Sequence, residues 1–382
     1  MKSLACIVFI LLTGLCRAQD PDGVKHTVAE LSSAAMWGRG YTKGGMARAA
    51  DYITEMLKRH GLQAVDSTYR QTCTFPVNTF PGKMEMSVDG RRLVPGRDFI
   101  VHPASRGLTA SGKLVQTDSL TFINPENRIA LVLKDKLTWS VSQELADYTA
   151  LEVKKSAAGL DPKEVSVDIE NMFIPEFKAD NISALVKGTR RPDSLIVLTA
   201  HYDHLGGMGS DTFFPGANDN ASGVAFLLSL AGYYAKHPQP YTIMFIFFAA
   251  EEAGLVGSKY FTEHPLVPLE HIRFLVNVDM VGTGEAGITV VNATLHPREF
   301  GWLTAHNERK RYLSKINARG EAANSDHYFF TQKNVPAFFI YTQGGPSAYH
   351  DINDVAAKLP LTEYSDLFRL FRDFTKALME IR

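Results

Sequence analysis

Leu195-Ile196-Val197-Leu198-Thr199-Ala200-His201-Tyr202-Asp203-His204 is an apolar run of strand length that ends abruptly in two histidines and an aspartate. Its first six residues show no alternation, so both faces of the strand must be covered, as in a sheet packed between helices. Three further runs share this texture: Thr242–Ala250, Ile272–Val278 and Ala337–Tyr341. Longer helical stretches separate them. The one after Asn220 places Val224, Leu227, Leu228 and Ala231 on one face, and an amphipathic stretch around Leu367, Phe371, Phe374 and Leu378 closes the chain. The pattern predicts an α/β fold over 179–382, with a mixed, mostly parallel central sheet covered by helices on both faces.

Upstream, 19–65 reads as the N-terminal helical part of the same domain. Ala49, Tyr52, Ile53, Met56 and Leu57 recur at helical spacing, and Gly61 is placed to end the helix. From 66 to 178 the texture changes to short alternating runs, such as Met84, Met86 and Val88 before the Asp89-Gly90 turn. That predicts a β-rich insertion or lid, within which Val141–Ala158 reads as a helix. At the start, Lys2, the apolar Leu4–Leu15 and Cys16-Arg17-Ala18 make the pattern of a secretory signal peptide over 1–18, cut before Gln19. The run is too short for the roughly 20 residues that span a bilayer. The expectation is export to the periplasm or the extracellular space, with no membrane attachment after cleavage.

A composition of 45% hydrophobic and 21% charged residues excludes a disordered or fibrous chain. Without the signal segment, 38 basic groups face 41 acidic ones. No net field then recruits nucleic acid or an anionic membrane. Of the three cysteines only Cys73 lies outside the signal segment, which leaves no disulfide framework and no thiolate metal site. Nothing in the residues selects an oligomeric state.

In open α/β sheets, sites form at the carboxyl ends of the strands. Those ends carry His201 and Asp203, then Glu251-Glu252, then Asp279, and finally Tyr349-His350, while Asp219 opens the helix between the first two strands. Taken singly, each has a plain structural explanation as a cap, a turn or a surface residue. Together, imidazoles and carboxylates converging without a thiolate suit zinc or another borderline divalent ion. His201, Asp219, Glu252, Asp279 and His350 exceed what one open tetrahedral site needs. Two ions about 3.5–4 Å apart, sharing a bridging carboxylate and a water, fit better. Glu251 and Glu252 are adjacent on extended chain and point to opposite sides, so one can ligate while the other serves as general base. Asp203 is spaced to support the His201 ring.

These residues resemble the M28 family of zinc metallopeptidases, among them secreted bacterial aminopeptidases. The matching stretches are Ala200–Gly206, Gly216–Gly223, Ala249–Ser258, Asn277–Gly282, Ser325–His327, and Tyr349-His350 with Asp354. The resemblance implies a two-zinc aminopeptidase acting on the N-termini of peptides or proteins. In it Asp219 bridges, His201 and Asp279 complete one site, and Glu252 and His350 the other. It also implies that Glu251 is the general base, that Asp203 supports His201, that Tyr349 binds the oxyanion and that Asp326 stands on the substrate side. The peptide bond after the bridging aspartate is often cis in the family, which points to Asp219–Asn220. Two rival expectations come from other classes. A glutaminyl cyclase would carry Asp-Gly before the Glu pair, where this chain has Ala249-Ala250. A binding ectodomain that has lost catalysis would lack ligands, and none is missing. His204, His102, His237 and His264 stand outside the expected constellation.

Overall fold

The computed structural model describes residues 21–380, so the expected signal segment lies outside the described residues. Nine strands form the central sheet: β1 (Gln63–Ala64), β2 (Arg70–Thr79), β3 (Met172–Val186), β4 (Arg191–His201), β5 (Tyr241–Phe248), β6 (Ile272–Val278), β7 (Ile288–Val291), β8 (Ile316–Ala318) and β9 (Ala337–Thr342). Their order is β1-β3-β5-β4-β6-β9-β7-β8, with β2 also paired to β3. The middle of the sheet, β5-β4-β6-β9, runs parallel, and β3 and β7 flank it antiparallel. This is the mixed, mostly parallel sheet that the unalternating runs predict.

Every residue of β5 is buried, and its side chains divide strictly by parity. Ile243, Phe245 and Phe247 pack into one core with the helices Gly45–Arg59, Gly223–Lys236 and Tyr364–Met379. Met244, Ile246 and Phe248 pack into a second core with Phe261 and Phe330, from the helices Val256–Glu263 and His327–Gln332. Period-2 geometry thus feeds both layers from one apolar run. No helix among the described residues is long and apolar enough to cross a membrane.

The N-terminal part is helical over Pro21–Leu31 and Gly45–Arg59, broken by a tight turn at Ala34–Arg39. Close approach to the site causes the break. A Cβ on Gly40 would lie 2.1 Å from the Cα of Gly206, so the backbone there can pass only as glycine.

The inserted region holds two further sheets. One has five strands in the order Phe99–Val101, Thr149–Lys154, Ile129–Lys134, Thr121–Asn124 and Val115–Gln116, and the other has four. Its strands alternate: Ile129, Leu131 and Leu133 face inward while their neighbours are part-exposed. The Asp89-Gly90 turn has φ of 48° and 77° at its two residues, the left-handed pair a tight hairpin needs. The helix expected at Val141–Ala158 is absent. Thr149–Lys154 is a strand paired parallel to Ile129–Lys134, and only Lys155–Ala158 is helical. Thr149, Leu151 and Val153 are buried alternately, and that period-2 burial outweighs the local helical composition. The expected boundary at 178 falls inside the pairing of β2 with β3 and the one at 66 lies just before β2, so both ends of the 66–178 segment run into strands of the central sheet.

Candidate metal centre

The carboxyl ends of β4, β5, β6 and β9 open onto one edge, and the side chains expected from the sequence meet there. His201 ends β4, and its Nε2 lies 3.5 Å from Asp219 Oδ1 and 3.3 Å from Asp279 Oδ1. His350 Nε2 lies 3.2 Å from the other oxygen of Asp219, Oδ2, and 3.1 Å from Glu252 Oε2. The Asp219 carboxylate therefore faces a different histidine with each oxygen. Glu251 falls with His201 and Asp279 in one compact donor cluster, and His204 with Asp219 and Glu252 in another. Both nitrogens of His201, the Nε2 of His204 and Oδ1 of Asp279 are buried without a hydrogen-bond partner. Such orphaned donors and acceptors are costly unless something binds them, and their chemistry fits a divalent cation with nitrogen and oxygen ligands.

The loops are held by their own polar groups. Asp219 sits in Ala217–Ser222 ahead of the helix Gly223–Lys236, and the Asp219–Asn220 peptide is cis. Asn220 donates to the Val278 carbonyl and accepts from the amides of Gly223 and Met280, tying the Asp219 loop to the Asp279 loop. Asp354 accepts the amides of Asn218 and Asp219. Asp203 accepts from the Glu251 amide at 3.0 Å, the Glu252 amide at 3.3 Å and the Tyr41 hydroxyl at 3.1 Å. It lies 3.7 Å from His201 Nδ1, beyond hydrogen-bond length, so in this structure it fixes the glutamate pair more directly than the histidine. Ala250, Met280 and His350 all have positive φ, at 57°, 49° and 53°. Strained backbone at three loops bearing site residues is a common property of functional sites.

Electrostatics separate the two glutamates. Burial raises the Glu251 carboxyl well above its ordinary range, reinforced by Glu252 and opposed by His201. Burial acts the same way on Glu252, yet His350 and the 2.8 Å contact with His204 Nδ1 outweigh it and hold that carboxyl well below the usual range. Burial also works against charge on His350, but Glu252 and Asp219 overcome it and lift the ring to about 11. A field that draws protons onto buried imidazoles is one a divalent cation would also satisfy.

Tyr349 is 47% exposed and stacks on the His350 ring at 3.8 Å, which puts it at the mouth of the site. Asp326 is fully enclosed; burial raises it to about 7, against the pull of His201. Its oxygens are buried without a hydrogen-bond partner. Sequence reasoning left out His204, although the His201-x-x-His204 spacing was a signal for it. It also passed over Arg39, whose buried guanidinium donates to the carbonyls of Leu31, Tyr202, Pro215, Gly216 and Asp219. His102, His237 and His264 do not join the cluster.

The family pattern described as Peptidase family M28 matches residues 181–375. Aminopeptidase YwaD of Bacillus subtilis (strain 168) is 32% identical over 159 residues, which is 41% of this chain and 33% of YwaD. A probable zinc metalloprotease of Pyricularia oryzae is 36% identical over 114 residues, 29% of this chain and 23% of its own length. The chain thus spans a third or less of the length of these relatives. Among solved structures, BSAP, a zinc aminopeptidase from Bacillus subtilis, matches with a TM-score of 0.70 at 18% identity, covering 94% of this chain and 96% of that one. The Peptidase M28 precursor from Shewanella amazonensis matches with a TM-score of 0.71 at 16% identity, covering 95% and 98%. At these identities the structural likeness speaks for the fold.

Proposed function

The chain belongs to peptidase family M28, and on that premise we propose that it is an aminopeptidase that holds two zinc ions and removes residues from peptide N-termini. One observation carries the reading: the two oxygens of Asp219 face two different histidines, His201 at 3.5 Å and His350 at 3.2 Å. That is the donor arrangement of a carboxylate shared by two cations. His201 and Asp279 would complete one site, and Glu252 and His350 the other, with His204 in contact with Glu252. Similar proteins include a zinc aminopeptidase and a probable zinc metalloprotease, which supports zinc as the metal.

When bound, the ions would acidify a water and polarise the scissile carbonyl. Glu251 takes the proton from that water and returns it to the departing amine. Its raised proton affinity suits a group that must first accept and then donate near neutral pH. Tyr349 offers its hydroxyl to the developing oxyanion from the open side of the site. Asp203 holds the Glu251 and Glu252 amides, so that one carboxylate stays on the ligand side and the other on the water side. Asp326, buried and under the electrostatic pull of His201, is the residue on the substrate side. The chain is exported through the segment 1–18, and a mature N-terminus at Gln19 would establish that cleavage.

The test is mass spectrometry of a peptide mixture with free, acetylated and glutamine-starting N-termini, incubated with the mature chain and zinc. Single-residue trimming of the free peptides alone, abolished by a chelator, is the expected result. Ammonia loss from the glutamine peptides, internal or C-terminal cuts, or an unchanged mixture would each overturn the aminopeptidase reading.

A further inference from the structure

The inserted β region reaches into the metal centre at one point. The carbonyl of Trp139 lies 2.7 Å from His350 Nδ1, and the Trp139 amide donates to the His350 carbonyl at 3.2 Å. A carbonyl can only accept, so Nδ1 of the ring is the donor, and Nε2 is left to face Asp219 and Glu252. His201 has no partner of this kind, since its Nδ1 is 3.7 Å from the nearest Asp203 oxygen. His350 also sits at a φ of 53°, a conformation that persists only when its surroundings over-determine it.

Trp139 is itself firmly seated. Only 4% of it is exposed; its indole donates to the Val101 carbonyl at 2.8 Å and stacks on Phe214 with centroids 4.7 Å apart. The same short segment grips the site loops on either side. Lys136 Nζ donates to the Ser347 carbonyl at 3.0 Å, beside the His350 loop, and Gln143 Nε2 donates to the Ala253 carbonyl at 2.6 Å, just past Glu251-Glu252. Residues 136–143 therefore run across the site from the loop of one expected ligand to the loop of another.

We propose that Trp139 is a positioning residue for His350, and that the inserted region, through the strap 136–143, sets the affinity of one of the two zinc positions. This rests on the two-zinc reading above. Carbonyl partners of ligating histidines fix the ring and raise its basicity, and losing such a partner typically weakens metal binding by about 10–100-fold. Without its indole, Trp139 loses the Val101 hydrogen bond and the Phe214 stack, the two side-chain contacts that seat its carbonyl against the His350 ring.

The test is zinc titration of chelator-stripped full-length protein against a competing chelator, which reads affinity without relying on turnover. Wild type takes up two ions. Trp139→Ala is expected to weaken one of them by about 10–100-fold and leave the other unchanged, while Trp139→Phe, which keeps a ring on Phe214, stays near wild type. Phe214→Leu loosens the same platform from the opposite side and should weaken the same ion to a lesser degree, so it carries the test if Trp139→Ala does not fold. Both ions bound as tightly as in wild type, or both weakened equally in a folded variant, would overturn the positioning role. Wild type that takes up no zinc would overturn the two-zinc reading instead, so the two failures are distinct.

Discussion

The central sheet and the inserted β region both bury large apolar cores, but by opposite patterns. The strand Tyr241–Phe248 is buried at all eight positions, whereas Ile129–Lys134 is buried at every second one. The first strand is sandwiched between two helical layers; the second shows one face to a core and keeps the other partly wet. Strands covered on both faces can change direction only at their ends, and there the polar residues of this chain gather: His201 at the end of β4, Glu251-Glu252 after β5, Asp279 after β6. The inserted strands, open along one face, are under no such constraint and end in ordinary turns such as Asp89-Gly90. The difference teaches where to look for chemistry. It also isolates the exception, the strap 136–143, where the insertion touches a ligand.

The comparison can be broken most sharply at Glu251. Glu251→Gln should lower turnover by about 10²–10⁴-fold, the usual contribution of a general base, with stability and zinc content unchanged. Steady-state kinetics beside metal analysis checks this, and near-normal turnover would remove Glu251 from the role. Arg39→Met attacks the support beneath the same loops. It takes the guanidinium donor from five carbonyls, of which Gly216 keeps the Ala221 amide, so a loss above about 4 kcal/mol in denaturant unfolding is expected. A change under about 1 kcal/mol would mean that water replaces the guanidinium easily.

Leu131→Ala probes the insertion's core away from the strap. Leu131 is fully buried, and the substitution should cost about 2–5 kcal/mol while turnover per folded molecule holds. A large fall in turnover of fully folded protein would show that the core of the insertion and the site are not separable. The smallest effect is expected at His327, where burial lowers the ring to about 4 from 6.5. The unfolded chain then binds the proton more tightly than the folded one. Stability is fully present above about pH 6.5 and declines as pH falls toward 4, by about 2 kcal/mol at pH 5. Denaturation midpoints of the metal-free protein between pH 7 and 4 should show this slope, and His327→Phe should flatten it.

Much of this was legible in the residues. Leu195–His201 and its sister runs declared a sheet covered on both faces, and the polar groups just past them fell on one edge of the structure. What stayed hidden depends on contacts distant in the chain. Arg39 looks like any charged residue in a glycine-rich turn; only the carbonyls of Tyr202 and Asp219, 163 and 180 residues away, give it a role. Trp139 acts through its main-chain carbonyl on a residue 211 positions later, and no side-chain pattern announces that. Val141–Ala158 misled for a related reason. Its local composition favours a helix, but pairing with Ile129–Lys134 and Phe99–Val101 decides for a strand over Thr149–Lys154.

The most direct measurement is the number of zinc ions bound per chain in wild type and in Asp219→Ala, counted by metal analysis after reconstitution and exhaustive dialysis. The two-facing geometry of Asp219 predicts two ions in wild type and neither in the variant. A single ion in wild type, or both retained without Asp219, would contradict the shared-carboxylate site on which the proposed function stands.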